Sequence, residues 1–139
     1  MHMLFAIIGT LALTISSPQD DAVVKAFEHY EAIRVVLAAD KITDLSRHAA
    51  ALAPLAETVG GKDARQAAEM IGAAKDIKAA REHFGKLSTA LLPAFEKARL
   101  DGVHFFTCSM AEQSWAQKGK DIQNPYYGTS MLACGTPKK

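Results

Sequence analysis

The chain has 139 residues, 49% of them hydrophobic and 22% charged, with 9 glycines and 5 prolines. That excludes a disordered or low-complexity chain and argues against a multidomain enzyme built around a large cofactor. A formal net charge of +1, from 16 Lys and Arg against 15 Asp and Glu, gives no global field to attract nucleic acid or an anionic membrane. Aromatic residues are only 7% and alanine is abundant, which favours closely packed helices over an extended sheet.

Leu4 to Ile15 read LFAIIGTLALTI, an apolar run shorter than the roughly 20 residues a membrane-spanning helix needs. Small residues Thr14, Ser16 and Ser17 follow or close it, then the polar Pro18-Gln19-Asp20-Asp21. This is the pattern of a secretory leader over residues 1–17, although Lys and Arg are missing from its start. A periplasmic or secreted location is the expectation, with 18–139 as one mature domain. No Cys follows the apolar run, so no lipid anchor is indicated, and nothing in the mature chain points to stable membrane insertion.

From Pro18 the pattern turns helical. Val23, Phe27, Tyr30, Ile33 and Leu37 recur at spacings of three and four, the stripe of an amphipathic helix, and Asp20 and Asp21 suit its first turn. A second helix is predicted from about Lys41, with Asp40 as N-cap, Gly60-Gly61 as its end, and Pro54 bending it or ending its regular part early. Asp63 with Gln66 predicts a capping box at the start of a third helix. Ile77, Ala80, Phe84, Leu87, Leu91, Ala94 and Ala98 form the clearest seam in the chain. Gly72 and Lys75-Asp76 are the candidate breaks before it, and Pro93 predicts a kink within it. The fold expected is all-α: an up-and-down four-helix bundle with short connections.

Asp101-Gly102 stops the fourth helix. Residues 101–139 gather both cysteines, the single Trp and two of the three Tyr, and read as an irregular C-terminal cap. Within it Val103–Thr107 suits a short extended run, Asn124-Pro125-Tyr126-Tyr127-Gly128 carries turn chemistry, and Thr136–Lys139 suits a frayed tail. Trp115 is read as an anchor between cap and helices.

Two short motifs in the cap carry the chemistry. Cys108-Ser109-Met110 and Met131-Leu132-Ala133-Cys134 each place a thiol near a thioether, and the turn between them lets the chain double back. Convergence of the four sulfurs would favour Cu(I) or Ag(I), because a polarisable d¹⁰ ion gains most from polarisable donors. His104 could add an imidazole. Zinc fits less well, since thioethers are poor zinc ligands. The alternative is a Cys108–Cys134 disulfide, which across about 25 residues would contribute roughly 3 kcal/mol in an oxidising compartment, with the methionines as apolar filler. Two unlinked buried thiols are a third reading, and spacing does not choose among them. His29, His48 and His83 fall on three predicted helices without a second ligand one turn away, so no interhelical metal site is expected from them. No triad, phosphate loop or haem attachment motif is present, and no enzymatic activity is expected.

Arg81-Glu82-His83-Phe84, Cys108-Ser109-Met110-Ala111, Trp115, Ile122-Gln123-Asn124-Pro125-Tyr126-Tyr127-Gly128 and Met131-Leu132-Ala133-Cys134-Gly135, in that order, resemble the DUF3347 family. These are exported bacterial helical domains found alone or appended to periplasmic adaptor subunits of copper and silver efflux pumps. The resemblance covers most of the mature chain, with its specificity in the last fifty or so residues. It implies a heavy-metal role at Cys108, Met110, Met131 and Cys134, and an efflux adaptor as partner. Ser109 stands where the family commonly has Pro, and the segment between that motif and Trp115 is shortened. A redox-dependent site, disulfide at rest and metal-binding when reduced, accommodates both readings.

Overall fold

The computed structural model describes residues 11–139. Residues 1–10 of the expected leader, including Leu4 to Thr10 of its apolar run, therefore lie outside the described residues. Leu11, Leu13 and Ile15 form no regular structure and are exposed.

Four helices follow: α1 (Pro18–Ala38), α2 (Leu45–Gly60), α3 (Lys62–Ala73) and α4 (Ile77–Ala98). Ser17 opens α1 with a reciprocal capping box. Its hydroxyl accepts from the Asp20 N–H and the Asp20 carboxylate accepts from the Ser17 N–H, both at 3.2 Å, so two otherwise orphaned donors are satisfied. The stripe Val23, Phe27, Tyr30, Ile33 and Leu37 is buried as its spacing predicts.

Helix α2 begins later than expected. Asp40 adopts a left-handed conformation with φ of 57°, and its carboxylate is engaged elsewhere, as described below, rather than capping α2. Pro54 does not end α2, which continues to Gly60. Ala49, Leu52, Ala53 and Ala56 are buried on both sides of it, and that tertiary packing outweighs the lost backbone hydrogen bond. Gly61, not Asp63, is the N-cap of α3, with no side-chain cap bond. The break between α3 and α4 falls at Lys75-Asp76, where the Asp76 carboxylate accepts from the Ala79 N–H at 2.8 Å. Helix α4 passes through Pro93 to Ala98.

The last quarter corrects the all-α, irregular-cap expectation. It contains a three-stranded antiparallel sheet of order β2-β1-β3: β1 (Val103–Cys108), β2 (Gln113–Lys118) and β3 (Thr136–Pro137). The four-residue connection Ser109–Glu112 joins β1 to β2, which pair from Val103 opposite Lys118 to Cys108 opposite Gln113. The C-terminal tail is tied down rather than frayed. Lys138 donates its N–H to the Phe105 carbonyl at 2.9 Å, and its ammonium pairs with Glu96 at 2.7 Å.

Neighbouring helices pack on one another, α1 also touches α4, and β2 lies against α4 and α1. An aromatic chain runs across that contact. Tyr30 stacks on Phe84 at 4.8 Å, Phe84 meets Tyr126 at 5.8 Å, Tyr126 meets Trp115 edge-on at 6.1 Å, and Trp115 meets Phe106 at 5.6 Å between ring centroids. Trp115 is fully buried, as an anchor should be. The buried Tyr30 hydroxyl lies 2.7 Å from Ser88 Oγ on α4 and accepts from the Ala116 N–H of β2 at 3.3 Å. Burial raises its pKa far above the usual phenol range, so it stays a neutral donor and acceptor.

Candidate metal centre

The site is assembled by the segment that returns from β2 to β3. Asn124 is fully buried and works as its clasp. Its Oδ1 accepts from the N–H groups of Tyr126 and Tyr127 at 2.8 and 3.2 Å, the Asx arrangement that lets an Asn set a turn. Its Nδ2 donates to the Cys134 carbonyl at 2.7 Å. Its backbone N–H donates to Leu132 O at 2.8 Å, and its carbonyl accepts from the Gly128 N–H at 3.0 Å. Five hydrogen bonds on one residue fold Tyr126–Cys134 back onto Asn124.

Around this clasp two arginines hold the return segment to the helices. Arg34 of α1, itself buried, donates to the Gln123 carbonyl at 3.0 Å and is paired through two nitrogens with Glu31 at 2.7 Å. Arg81 of α4 donates to the Pro125 and Leu37 carbonyls at 2.8 Å and to Asp40 at 2.7 Å. Asp40 also accepts from the Thr129 N–H at 3.0 Å and from the Thr129 hydroxyl. Those hydrogen bonds and the Arg81 charge hold the Asp40 carboxyl down at about 2.

The consequence is that Cys108, at the end of β1, and Cys134 meet with their sulfurs 3.9 Å apart, both as free thiols. Cys108 is sealed from solvent and Cys134 is half-exposed. Their ionisation differs. Burial pushes the Cys108 thiol up, but the Ala111 N–H, the Asn124 side chain, the Cys134 thiol and the Met110 N–H together outweigh it, and its pKa is lowered. The Cys134 pKa is raised, first by burial and then by its bond to Cys108 and the charge that forms there. Two adjacent thiols of unequal acidity, Cys108 the more acidic, are the arrangement that results.

The other expected ligands are placed less closely. Met110 sits on the β1–β2 connection with 61% of its surface exposed. Met131 ends the short 3₁₀ turn Gly128–Met131, and its carbonyl accepts from the Cys134 N–H at 3.0 Å, which ties its backbone to that of Cys134. His104 shares a strand face with Cys108 but lies four residues away on β1, about 13 Å at the rise of a strand. That spacing removes it from any ion held at the Cys108 sulfur. Among the described residues no three His, Cys, Asp or Glu side chains converge.

The two sulfurs fit a soft ion. Thiolate bonds to a d¹⁰ metal such as zinc are about 2.3 Å, so one ion bridges sulfurs up to about 4.6 Å apart, and the pair falls within that span without rearrangement. A groove of about 650 Å³ between α3 and α4, lined in part by Asp63, Met70, His83 and Lys86, contains neither thiol.

Sequence reasoning missed Asn124 as a site residue. Its position before Pro125 marked a turn, yet the donation from its amide to the Cys134 carbonyl and toward the Cys108 sulfur is a long-range consequence of burial. Comparison with known proteins finds no matching family model, no matching curated protein and no matching solved structure.

Proposed function

We propose that this chain is an exported, periplasmic binding protein that carries Cu(I) or Ag(I) as cargo between Cys108 and Cys134, buffering it or passing it to an efflux adaptor. The observation that carries this reading is the pair of free sulfurs 3.9 Å apart with unequal ionisation. Cys108, the more acidic of the two, gives up its proton to a soft ion more readily than Cys134, and binding to both sulfurs releases protons. Met131, anchored one turn before Cys134, is the thioether best situated to join, and Met110 is exposed enough to exchange. Entry and handover start at Cys134, the accessible thiol. Export rests on the apolar run at Leu4–Ile15, and exposed Leu11, Leu13 and Ile15 are consistent with a segment that packs on nothing in the domain. We further read the helices as an up-and-down bundle with the sheet as its cap, supported by packing between successive helices and between β2 and α4.

The test is Cu(I) titration of the reduced protein against a chromogenic chelator. Cys108→Ser and Cys134→Ser should each weaken binding at least a hundredfold, and Met131→Leu several-fold. Unchanged affinity in both Cys variants would overturn the reading.

The same proximity supports a second reading, an exported helical interaction domain stapled by a Cys108–Cys134 disulfide without metal. Closing the gap to the bond length of about 2 Å would release two protons and pass two electrons to a disulfide exchange partner. Protein purified without reductant would then show no titratable thiol, and its melting temperature would fall sharply on reduction.

A further inference from the structure

His29 of α1 and His48 of α2 face each other across the seam where those helices pack, with their Nδ1 atoms 3.4 Å apart, ring centroids 5.7 Å apart and planes inclined by 49°. The sequence predicted no such meeting. Helical spacing explains it: His29 falls three residues after buried Ala26 and four before buried Ile33, while His48 falls between buried Leu45 and Leu52. Both rings are thereby carried to the edge of the core, and both are half-buried, with one side toward solvent.

We propose that His29 and His48 form a second metal site, separate from the thiol pair, that takes a partly hydrated borderline divalent cation, Cu²⁺ ahead of Zn²⁺ or Ni²⁺. Imidazole nitrogens bind such ions at about 2.0–2.1 Å, which puts two of them about 3.3–3.4 Å apart on a tetrahedral ion and about 2.9 Å apart at adjacent corners of the tetragonal site that Cu²⁺ prefers. The observed 3.4 Å matches the first span and lies about half an ångström from the second, so a small shift of either ring completes the pair for Cu²⁺. In the ion-free protein one shared proton between the two nitrogens makes the same contact, and a cation replaces it. Only neutral imidazole ligates, and burial, Arg47 and His29 all lower the His48 pKa, against the opposing pull of Asp44, which keeps its ring neutral at physiological pH. No third His, Cys, Asp or Glu among the described residues completes the set, so the remaining positions fall to water or to a ligand from a partner. Imidazole with oxygen donors suits Cu²⁺ and Zn²⁺, and affinity follows the order that peaks at copper.

The experiment uses the full chain carrying Cys108→Ser and Cys134→Ser, so that thiols neither bind nor reduce the probe, and His2→Gln, to remove the imidazole near the amino terminus. Cu²⁺ alone is titrated and its electron paramagnetic resonance recorded. One bound equivalent showing coupling to two imidazole nitrogens is expected, with affinity falling at least tenfold on His29→Gln or His48→Gln. A spectrum with one or no imidazole nitrogen in the parent, a measurement that needs neither His variant to fold, would overturn the proposal. So would affinity unchanged from the parent in both His variants. The site makes no use of the sulfur pair, so failure here leaves the Cu(I) reading untouched and the reverse also holds.

Discussion

Asn124 donates to the Cys134 carbonyl across 2.7 Å, and this bond fixes the turn that carries Cys134 to the end of β1. Cys108 is fixed by a strand paired residue for residue with β2, whereas Cys134 belongs to a turn with little regular structure of its own. Without a long-range tie, nothing in the local sequence would bring that turn to the end of β1. Strand β3 supplies that tie, pairing Thr136 with Thr107 of β1 two residues beyond Cys134, and the Asn124 amide sets the turn that precedes it.

Asn124→Ala should therefore destabilise the protein and open the site together. It orphans the Cys134 carbonyl and the Tyr126 and Tyr127 N–H groups in a buried position, and each lost partner costs about 1–3 kcal/mol. Urea unfolding should show a loss of about 3 kcal/mol or more, and Cu(I) affinity should fall in the folded fraction. A loss below about 1 kcal/mol would show that the turn holds without its clasp.

The unequal thiols predict a two-step titration of thiolate absorbance. Cys108 ionises below the ordinary value of 9.0 and Cys134 above it. In Cys108→Ala, Cys134 should titrate at lower pH than in the parent, because the bond and charge from Cys108 are gone and only burial remains. In Cys134→Ala, Cys108 should move up, having lost one donor. The linkage sign follows: the folded-state depression at Cys108 stabilises the fold above the unfolded thiol pKa and is lost as pH falls through the folded value. Single-variant titrations that stay where the parent's two steps lie would contradict this account.

Helices and core were legible in the sequence because their signal is local. The period of α1 and α4 placed Tyr30, Phe84, Leu87 and Leu91 in the core correctly, and Asp76 marked the α3–α4 break by its position. The errors arose where tertiary contacts overrode local preference. Asp40 looked like an N-cap because acidic residues commonly serve there, but Arg81, forty-one residues away, and Thr129 both bind its carboxylate. Pro54 pointed to a bend in α2 or an early end to its regular part; packing on either side carried the helix through to Gly60, where Gly60-Gly61 marked its end. The strands of the cap were half visible: Val103–Thr107 read as extended, while Gln113–Lys118 has little β propensity and is a strand because Trp115, Ala116 and Gln117 are buried against β1 and the helices. At the site, Cys108 and Cys134 were found as the one place with soft donors, yet His104 was grouped with them by sequence nearness that an extended strand does not preserve.

Asp40 gives a pH prediction with a defined window. Its carboxyl is held at about 2, below the ordinary value of 3.8, by the Thr129 hydroxyl, Arg81 and the Thr129 N–H. A depressed acid contributes stability that is fully present above the unfolded pKa and lost as pH falls through the folded one. Melting temperature should therefore decline between about 4 and about 2, in addition to the protein's other acid-sensitive groups. Asp40→Asn should melt below the parent at neutral pH, and the difference should shrink as pH falls through that window. A difference that stays constant with pH would show that the carboxylate charge is not what holds the turn to α1 and α4.

Gly135 supplies the steric half of the same architecture. A Cβ there would lie 2.7 Å from the buried Trp115 ring, an approach that real side chains do not make, and Trp115 is held by its indole N–H to Gln117 at 2.9 Å and by Phe106 and Tyr126 on its faces and edge. The ring cannot yield, so in Gly135→Ala the chain at Cys134 must. The expected cost is about 1–3 kcal/mol for overpacking, accompanied by a wider sulfur separation and at least tenfold weaker Cu(I) binding. Gly119→Ala is the control. It places a methyl where nothing lies within 4 Å but retains a positive φ of 89°, so it carries only backbone strain of about 1 kcal/mol and should leave metal affinity unchanged. Equal loss of affinity in the two variants would mean that general loosening, rather than displacement of Cys134 from Cys108, governs the site.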